Sequence, residues 1–439
     1  TTNANSAIVH SGYDPIPGTN KAKFNVLGNK MYAQIADELD VSYQQIGSLT
    51  VASFKEQVPI LEELKKRSEE NGVPVEILTG EQVKEMEPNI PDSFGALYAP
   101  TAAIINPFNL CVHAMENAVD NGVELFLSNK VIDIKVKNNL FLVKTDKDVY
   151  QAKIVINAAG NYADKIASMV ETIDWNITSR KGEYFVLDHF EKGFVRHTIF
   201  PLPSAKGKGV LVSMTTSGDY LVGPSSEPVE DKEDYSTGKL TLDEIRRQSL
   251  LLVPSIPFNQ VIRTFAGSRP TPNTHDFIIR YAKCDNHFIT LSGIESPGLA
   301  SSPAIAEYVV NEFVSRVIKL VPKENFNPRV KRRAHLKEMS VEERNKFIAE
   351  NPDYGKIICN CEKVSLGEIL FEMNTSVPPK TIKAVKKRTR AGFGKCQGGF
   401  CQPLVTKIIS EKFNIPLNEV MFQKRGSFVV RYDIKGEKK

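Results

Sequence analysis

Four cysteines crowd one short region, Cys359 and Cys361 as a C-x-C pair and Cys396 and Cys401 as a C-x4-C pair. No basic-then-apolar signal segment opens the sequence, and clustered thiols in such a chain favour a bound metal over disulfides. Four thiolates suit either an iron–sulfur cluster or a tetrahedral zinc ion. Zinc ribbons commonly use C-x2-C pairs, and neither pair here has that spacing. The second pair sits among glycines in GFGKCQGGFCQP (392–403), which free backbone N–H groups to bond to sulfur. SLGEILFEMN (365–374) and TIKAVKKRTRAG (381–392) supply short helices between the pairs. The basic run VKKRTR (385–390) is expected on a solvated helix face, with neutralising an anionic cluster or docking an acidic redox partner as the competing readings. The other two of the six cysteines, Cys111 and Cys284, are expected as small buried hydrophobes.

A second place for chemistry lies at 289–318. ITLSG reads as a buried strand leading to Gly293, followed by a turn that ends in Ser301 and Ser302, either of them a possible N-cap. Pro303 fits a first helical turn, and Ile305, Val309, Phe313 and Val317 form the apolar stripe of the helix. Gly293 and Gly298 let the backbone approach a flat ligand. The unpaired N–H groups of the helix start would stabilise a ligand that gains negative charge on reduction. Spacing alone leaves a plain strand–turn–helix connection open. Among the polar side chains, the Arg269 guanidinium suits a phosphate or carboxylate, with a surface ion pair as the competing reading. Lys181 reads as a solvated charge and Tyr184 as core or site. His113, His189, His197, His275, His287 and His335 show no metal-ligand spacing and are expected to be structural.

These groups need elements to hold them. The chain of 439 residues is long enough for two or three domains, with 41% hydrophobic and 25% charged residues, an ordinary globular balance. A net charge of +4 gives no reason to propose nucleic acid, and no run of about 18 apolar residues suggests a membrane span. Phe24, Leu27, Met31, Ile35 and Leu39 mark a helix, 46–52 a strand, and 58–72 an amphipathic helix. Pro107 and Gly122 bracket another helix, followed by strands at VELFL (123–127), KVIDIKV (130–136) and LFLVKT (140–145). IVINAAG (154–160) then gives an apolar strand ending in small residues, with a short helix through Ile166 and Met169. Strand, small-residue turn and helix in that order mark the cofactor edge of a doubly wound α/β sheet. Between 175 and 265, EYFVLD, HTIFPL, GVLVSM and YLVGP suggest a separate antiparallel sheet. Residues 322–355 are charged and Pro-interrupted, as expected of a linker.

GIESPGLASSPAIAEYV (293–309) resembles the C-terminal flavin-binding motif of the FAD-dependent glycerol-3-phosphate dehydrogenase and L-2-hydroxyglutarate oxidase group, within the D-amino-acid-oxidase-like flavoproteins. VINAAGNYAD (155–164), TTNANSAIVHSGYDPIPGTNKAK (1–23), SRKGEYFVLD (179–188) and GSRPTPNTHDFII (267–279) resemble further motifs of the same group, in the same order. The resemblance implies FAD, held by Thr2, Asn5, Ser6, Val131, Ala159, Gly160, Gly293, Ile294, Glu295, Gly298, Leu299 and Ala300. It also implies His10 as the base, with loop structure as the competing reading, Arg269 as the substrate anchor, and Tyr184 facing the flavin, with Lys181 beside it. Ala300 stands where relatives often carry Thr, which removes a hydrogen bond. No G-x-G-x-x-G occurs. The group places that element, and its acidic ribose ligand, before the equivalent of Thr1, so the chain is expected to begin inside a longer gene product and, as it stands, to hold FAD weakly or not at all.

The cysteine region resembles the bacterioferritin-associated-ferredoxin type of [2Fe–2S] domain, with zinc as the alternative occupant. The expected architecture is α/β. Residues 1–322 form an oxidoreductase domain, with FAD-binding parts at about 1–45, 107–170 and 266–322 and antiparallel substrate-domain parts at about 46–106 and 171–265. A linker (323–354), the cluster domain (355–412) and a tail (413–439) follow. The implied activity is oxidation of a CH–OH group on a small anionic substrate, sn-glycerol 3-phosphate first and an L-2-hydroxyacid such as 2-hydroxyglutarate second. Electrons would pass to the cluster and then to a partner subunit or quinone. The implied location is cytoplasmic, with attachment to the inner face of the membrane left open. A reading of another class, a non-enzymatic iron–sulfur electron-transfer protein, rests on the missing glycine-rich element.

Overall fold

The computed structural model describes residues 2–138, 140–191, 193–203 and 209–431. The chain divides into two compact units, one of Thr1–Ala36, Ser42–Pro107 and Leu125–Asn325, the other of Asp37–Val41, Phe108–Glu124 and Phe326–Lys439. Among the described residues no helix is long and apolar enough to cross a membrane.

The spine of the first unit is the strand Ile177–Leu187, paired antiparallel with Val261–Pro272 from Ile177↔Pro272 to Leu187↔Val261. The sheet continues through Tyr220–Gly223, Leu211–Met214 and Thr198–Pro201. It then takes in Ser48–Val51, Ala96–Ala99 and Glu76–Leu78. Thr198–Pro201 runs parallel to Ser48–Val51, so a sheet expected to be antiparallel is mixed. An unforeseen helix, Lys239–Leu252, lies between the strands and buries Ile245, Ser249 and Leu252. Its Ile245 and Leu252 join Leu187, Ile199 and Val222 in one core cluster.

The α/β part centres on Phe288–Ser292, parallel to Val155–Asn157 and antiparallel to Ile278–Tyr281. Phe24 of the first long helix packs with Ile289, Ile305 and Val309. The helix Gly298–Glu312 starts earlier than the sequence suggests, with Pro303 inside it. Ser301 and Ser302 therefore do not cap; their hydroxyls bond back to the carbonyls of Pro297 (3.1 Å) and Leu299 (2.9 Å). Proline has no N–H to give the carbonyl four residues before it. That carbonyl is Leu299 O, which accepts the Tyr32 hydroxyl instead. The strand expected at 123–127 is absent, because Val123 N–H is spent on Ala118 O (3.0 Å), closing the preceding helix.

In the second unit Ile369, Val385, Val405 and Ile409 make an apolar core with the buried Cys359 and Cys401. Behind it lies a buried ion network. Arg333 meets Glu116 (2.6 Å) and Glu372 (2.9 Å), and Arg388 meets Glu116 (3.2 Å). The run 385–390 is thus not a solvated face: the Arg388 side chain is 6% exposed, and Lys386 is buried. Cys111 and Cys284 are exposed rather than buried. The stretch read as a linker carries the helix Val341–Glu350, closed by a Ser340–Glu343 capping box. The stretch read as a tail folds back, burying Val420 and bridging Met421 to Phe428.

Two predictions concern these charges. Glu116→Ala leaves two buried guanidinium groups to share the single carboxylate of Glu372 and should cost about 3–5 kcal/mol, read as a urea midpoint shift of the full chain; a loss below about 1 kcal/mol would show that the network carries little. His335 bonds to the buried Asp40 carboxylate at 3.1 Å, and this bond raises the imidazole pKa. A raised folded-state pKa gives stability that is complete below the ordinary imidazole value of about 6.5 and fades as pH climbs past the raised one. His335→Gln should therefore lower the urea midpoint more at about pH 6 than at about pH 9, and an equal loss at both would refute the linkage.

Candidate functional site

Cys359 ends the short strand Ile357–Cys359, and Cys401 sits at the N-cap of the helix Gln402–Phe413. Both are buried, Cys361 is exposed and Cys396 is intermediate. Cys361 Sγ lies 3.5 Å from Cys396 Sγ. Gly392 N–H donates to Cys359 Sγ at 3.4 Å, from a backbone at φ +90° that only glycine adopts without strain. Burial and then the neighbouring Cys359 thiol push Cys401 up to about 12. Burial works the same way on Cys396, but the backbone N–H groups of Gly398, Phe400 and Gly399 overcome it and lower that pKa. Arg390 bonds to Glu362 at 2.7 Å, tying the loop of one cysteine pair to that of the other.

A single tetrahedral zinc would draw all four sulfurs to about 3.8 Å of one another, given Zn–S bonds of about 2.3 Å. Among the described residues no three of these sulfurs lie within 4.8 Å of one another. The wider set, with its N–H groups aimed at sulfur, fits a [2Fe–2S] cluster.

In the first unit, strand alternation sorts the expected residues onto two faces. On one face the Tyr184 ring stacks on Phe265, with centroids 4.7 Å apart and 7° between planes. Tyr184 Oη lies 3.0 Å from Ser6 Oγ. Arg269 lies flat over Gly182, where a Cβ would come within 2.6 Å of its guanidinium, and it donates to Ser225 O at 3.3 Å. Lys181 is on the opposite face, buried against Asp234 (2.7 Å) rather than solvated or beside Tyr184. That face also receives Asn161, just after Ala159 and Gly160, through Ser268 (2.8 Å).

Asn5 bonds to Thr2 O (3.1 Å) and Ala7 N (2.8 Å), shaping the loop that ends at Ser6. His10 follows the strand Ile8–Val9, with its carbonyl held by Asn25 (2.6 Å) and its ring 5.8 Å from that of Phe200. Gly293 turns at φ +66° into Ile294, and Glu295 is engaged by Lys21 (2.8 Å) and Thr271 (2.8 Å). Gly298, Leu299 and Ala300 form a helix start with no side-chain cap. Val131 opens the strand Val131–Lys137, outside this grouping. The hydroxyls of Thr290 and Ser292, in the strand before Gly293, are buried with no hydrogen-bond partner among the described residues. Orphaned polar atoms beside an uncapped helix start fit a bound FAD. The sequence reading missed Phe265 and Gly182; strand alternation could have found them only once the register was known.

Residues 1–312 match the family model for FAD dependent oxidoreductases, and residues 357–411 match the BFD-like [2Fe-2S] binding domain. A glycerol 3-phosphate dehydrogenase of Caloramator mitchellensis is 42% identical over 439 residues, 100% of this chain and 92% of its own. A glycerol 3-phosphate oxidase of Mycoplasma genitalium is 36% identical, with 75% of this chain and 88% of its own aligned. The dithionite-reduced, FAD-bound L-alpha-glycerophosphate oxidase of Mycoplasma pneumoniae superposes with a TM-score of 0.71 at 32% identity, over 75% of this chain and 88% of its own.

Gly392→Ala should cost about 1–3 kcal/mol of strain and lower the iron and sulfide content of anaerobically purified protein. Unchanged content and stability would mean that the glycine is not needed to present its N–H to Cys359.

Proposed function

Because this chain belongs to the FAD dependent oxidoreductase family and carries a BFD-like [2Fe-2S] binding domain, we propose that it oxidises the secondary alcohol of sn-glycerol 3-phosphate to dihydroxyacetone phosphate. Bound FAD supplies a two-electron hydride acceptor, and the bound cluster supplies one-electron chemistry toward an external acceptor, a partner subunit or quinone. The protein's own work is to bind, orient and deprotonate. Arg269, flat on Gly182, holds the anionic group in a planar fork. Tyr184, fixed by Phe265 and Ser6, orients the reacting hydroxyl, and the His10 imidazole takes its proton. The N–H groups at Gly298 to Ala300 favour negative charge on the reduced ring. We place the protein in the cytoplasm, where thiols stay reduced and the four-cysteine site can be loaded.

The observation that carries this reading is the convergence of Ser6, Tyr184 and Arg269 on one sheet face of a chain 42% identical to a glycerol 3-phosphate dehydrogenase. Dye-linked reduction by the anaerobic holoenzyme should proceed with sn-glycerol 3-phosphate and far more slowly with L-2-hydroxyglutarate. Tyr184→Phe should lower kcat/KM roughly 5- to 10-fold, the worth of one neutral hydrogen bond. Absence of turnover with the phosphate ester would refute the assignment.

A further inference from the structure

Arg180 stands directly across from Arg269 in the antiparallel pairing of Ile177–Leu187 with Val261–Pro272. Residues opposite one another in such a pair share a face with Cβ atoms roughly 5 Å apart, and like charges there repel. Both arginines are only partly exposed. Among the chain's other partly buried arginines, Arg67 and Arg344 donate only to backbone carbonyls, whereas Arg280 is neutralised by Glu171, Arg333 and Arg388 by Glu116, and Arg390 by Glu362. The Arg180 and Arg269 pair is not neutralised. The Arg269 side chain donates only to a backbone carbonyl, Ser225 O, and among the described residues the Arg180 side chain has no ion pair or hydrogen bond, its backbone being held in the ladder. On its other edge Arg180 faces Pro228, which carries no charge. The nearby acids Glu183 and Asp234 sit with Lys181 on the opposite face, and Glu295, which reaches Thr271 on the arginines' own face, is held by Lys21 at 2.8 Å. The sheet thus places two uncompensated guanidinium groups on the face that also carries Tyr184 and Ser6. Gly182, under the Arg269 fork, is two residues from Tyr184, roughly 7 Å at the usual strand rise.

Resting on the substrate reading above, we propose that Arg180 and Arg269 form a two-guanidinium clamp for a phosphate dianion, and that Arg180 selects phosphate monoesters over single carboxylates. Two planar forks match the oxygens of a doubly charged phosphate, whereas one carboxylate balances only one of them. The dianion also removes the repulsion between the two strands.

The test uses anaerobic holoenzyme carrying Arg180→Gln or Arg180→Lys, with FAD content as the folding control. Arg180→Gln should raise KM for sn-glycerol 3-phosphate on the order of 10- to 100-fold with a much smaller change in kcat, and Arg180→Lys should recover part of the loss. Wild-type KM should fall as pH rises through the second phosphate ionisation near about 6, and this dependence should flatten in Arg180→Gln. Inorganic phosphate binding, followed by perturbation of the flavin spectrum, should weaken by a similar factor. If wild type turns over no phosphate ester yet binds inorganic phosphate through Arg180, the clamp stands and the substrate assignment falls. Unchanged KM and phosphate affinity in Arg180→Gln would overturn the clamp while leaving the assignment intact. Loss of FAD from that variant with KM retained would overturn it too, by assigning the arginine to the diphosphate of the cofactor.

Discussion

The pairing of Ile177–Leu187 with Val261–Pro272 is the constraint on which the first unit turns. A strand's side chains alternate, so a slip of one residue would send every one of them to the other face. In the observed register Gly182 lies opposite Gly267, and Tyr184 opposite Phe265. The glycine pair opens a shallow floor: Arg269 lies over one glycine, and the backbone of Ala4 presses on the other. The odd-numbered side chains of the same strand are used quite differently. Ser179 bonds to Ser268, and Lys181 and Glu183 pair beneath the sheet. One ladder therefore keeps the Tyr184 and Arg269 surface apart from the Lys181 and Glu183 pair.

The second unit solves another electrostatic problem. Buried thiols resist ionisation, as the raised Cys401 pKa illustrates, so a site meant for thiolates needs compensation. It comes from backbone dipoles rather than from lysines. The N–H groups around Cys396 and the Gly392 N–H at Cys359 point at sulfur. Of the cationic side chains nearby, Arg388 is committed to Glu116 and Arg390 to Glu362. Arginines that look like a solvated basic run in sequence are thus internal struts of this unit.

Much of this was legible in the residues and some was not. Cysteine spacing and the ITLSG-to-helix passage are local features, and local features survive in a linear reading. The helix Lys239–Leu252 was overlooked among β-like runs, although Leu242, Ile245, Ser249 and Leu252 recur at helical spacing. Pro303 looked like a helix start because a proline inside a helix orphans a carbonyl, and the Tyr32 hydroxyl that repairs it comes from a distant segment. The face shared by Tyr184 and Arg269 depends on register, which is decided by partners far away in sequence. The burial of Arg388 likewise depends on Glu116, which no local pattern announces.

The Glu116–Arg333 contact joins residues 217 positions apart, and Glu116–Arg388 joins residues 272 apart. A ribosome adding roughly 5–20 residues each second needs on the order of tens of seconds to cover such a gap. Throughout that interval the helix bearing Glu116 has left the exit tunnel without its guanidinium partners. The cluster-bearing unit is therefore a late product of translation, completed only when its final segments emerge, and iron loading has to wait for them.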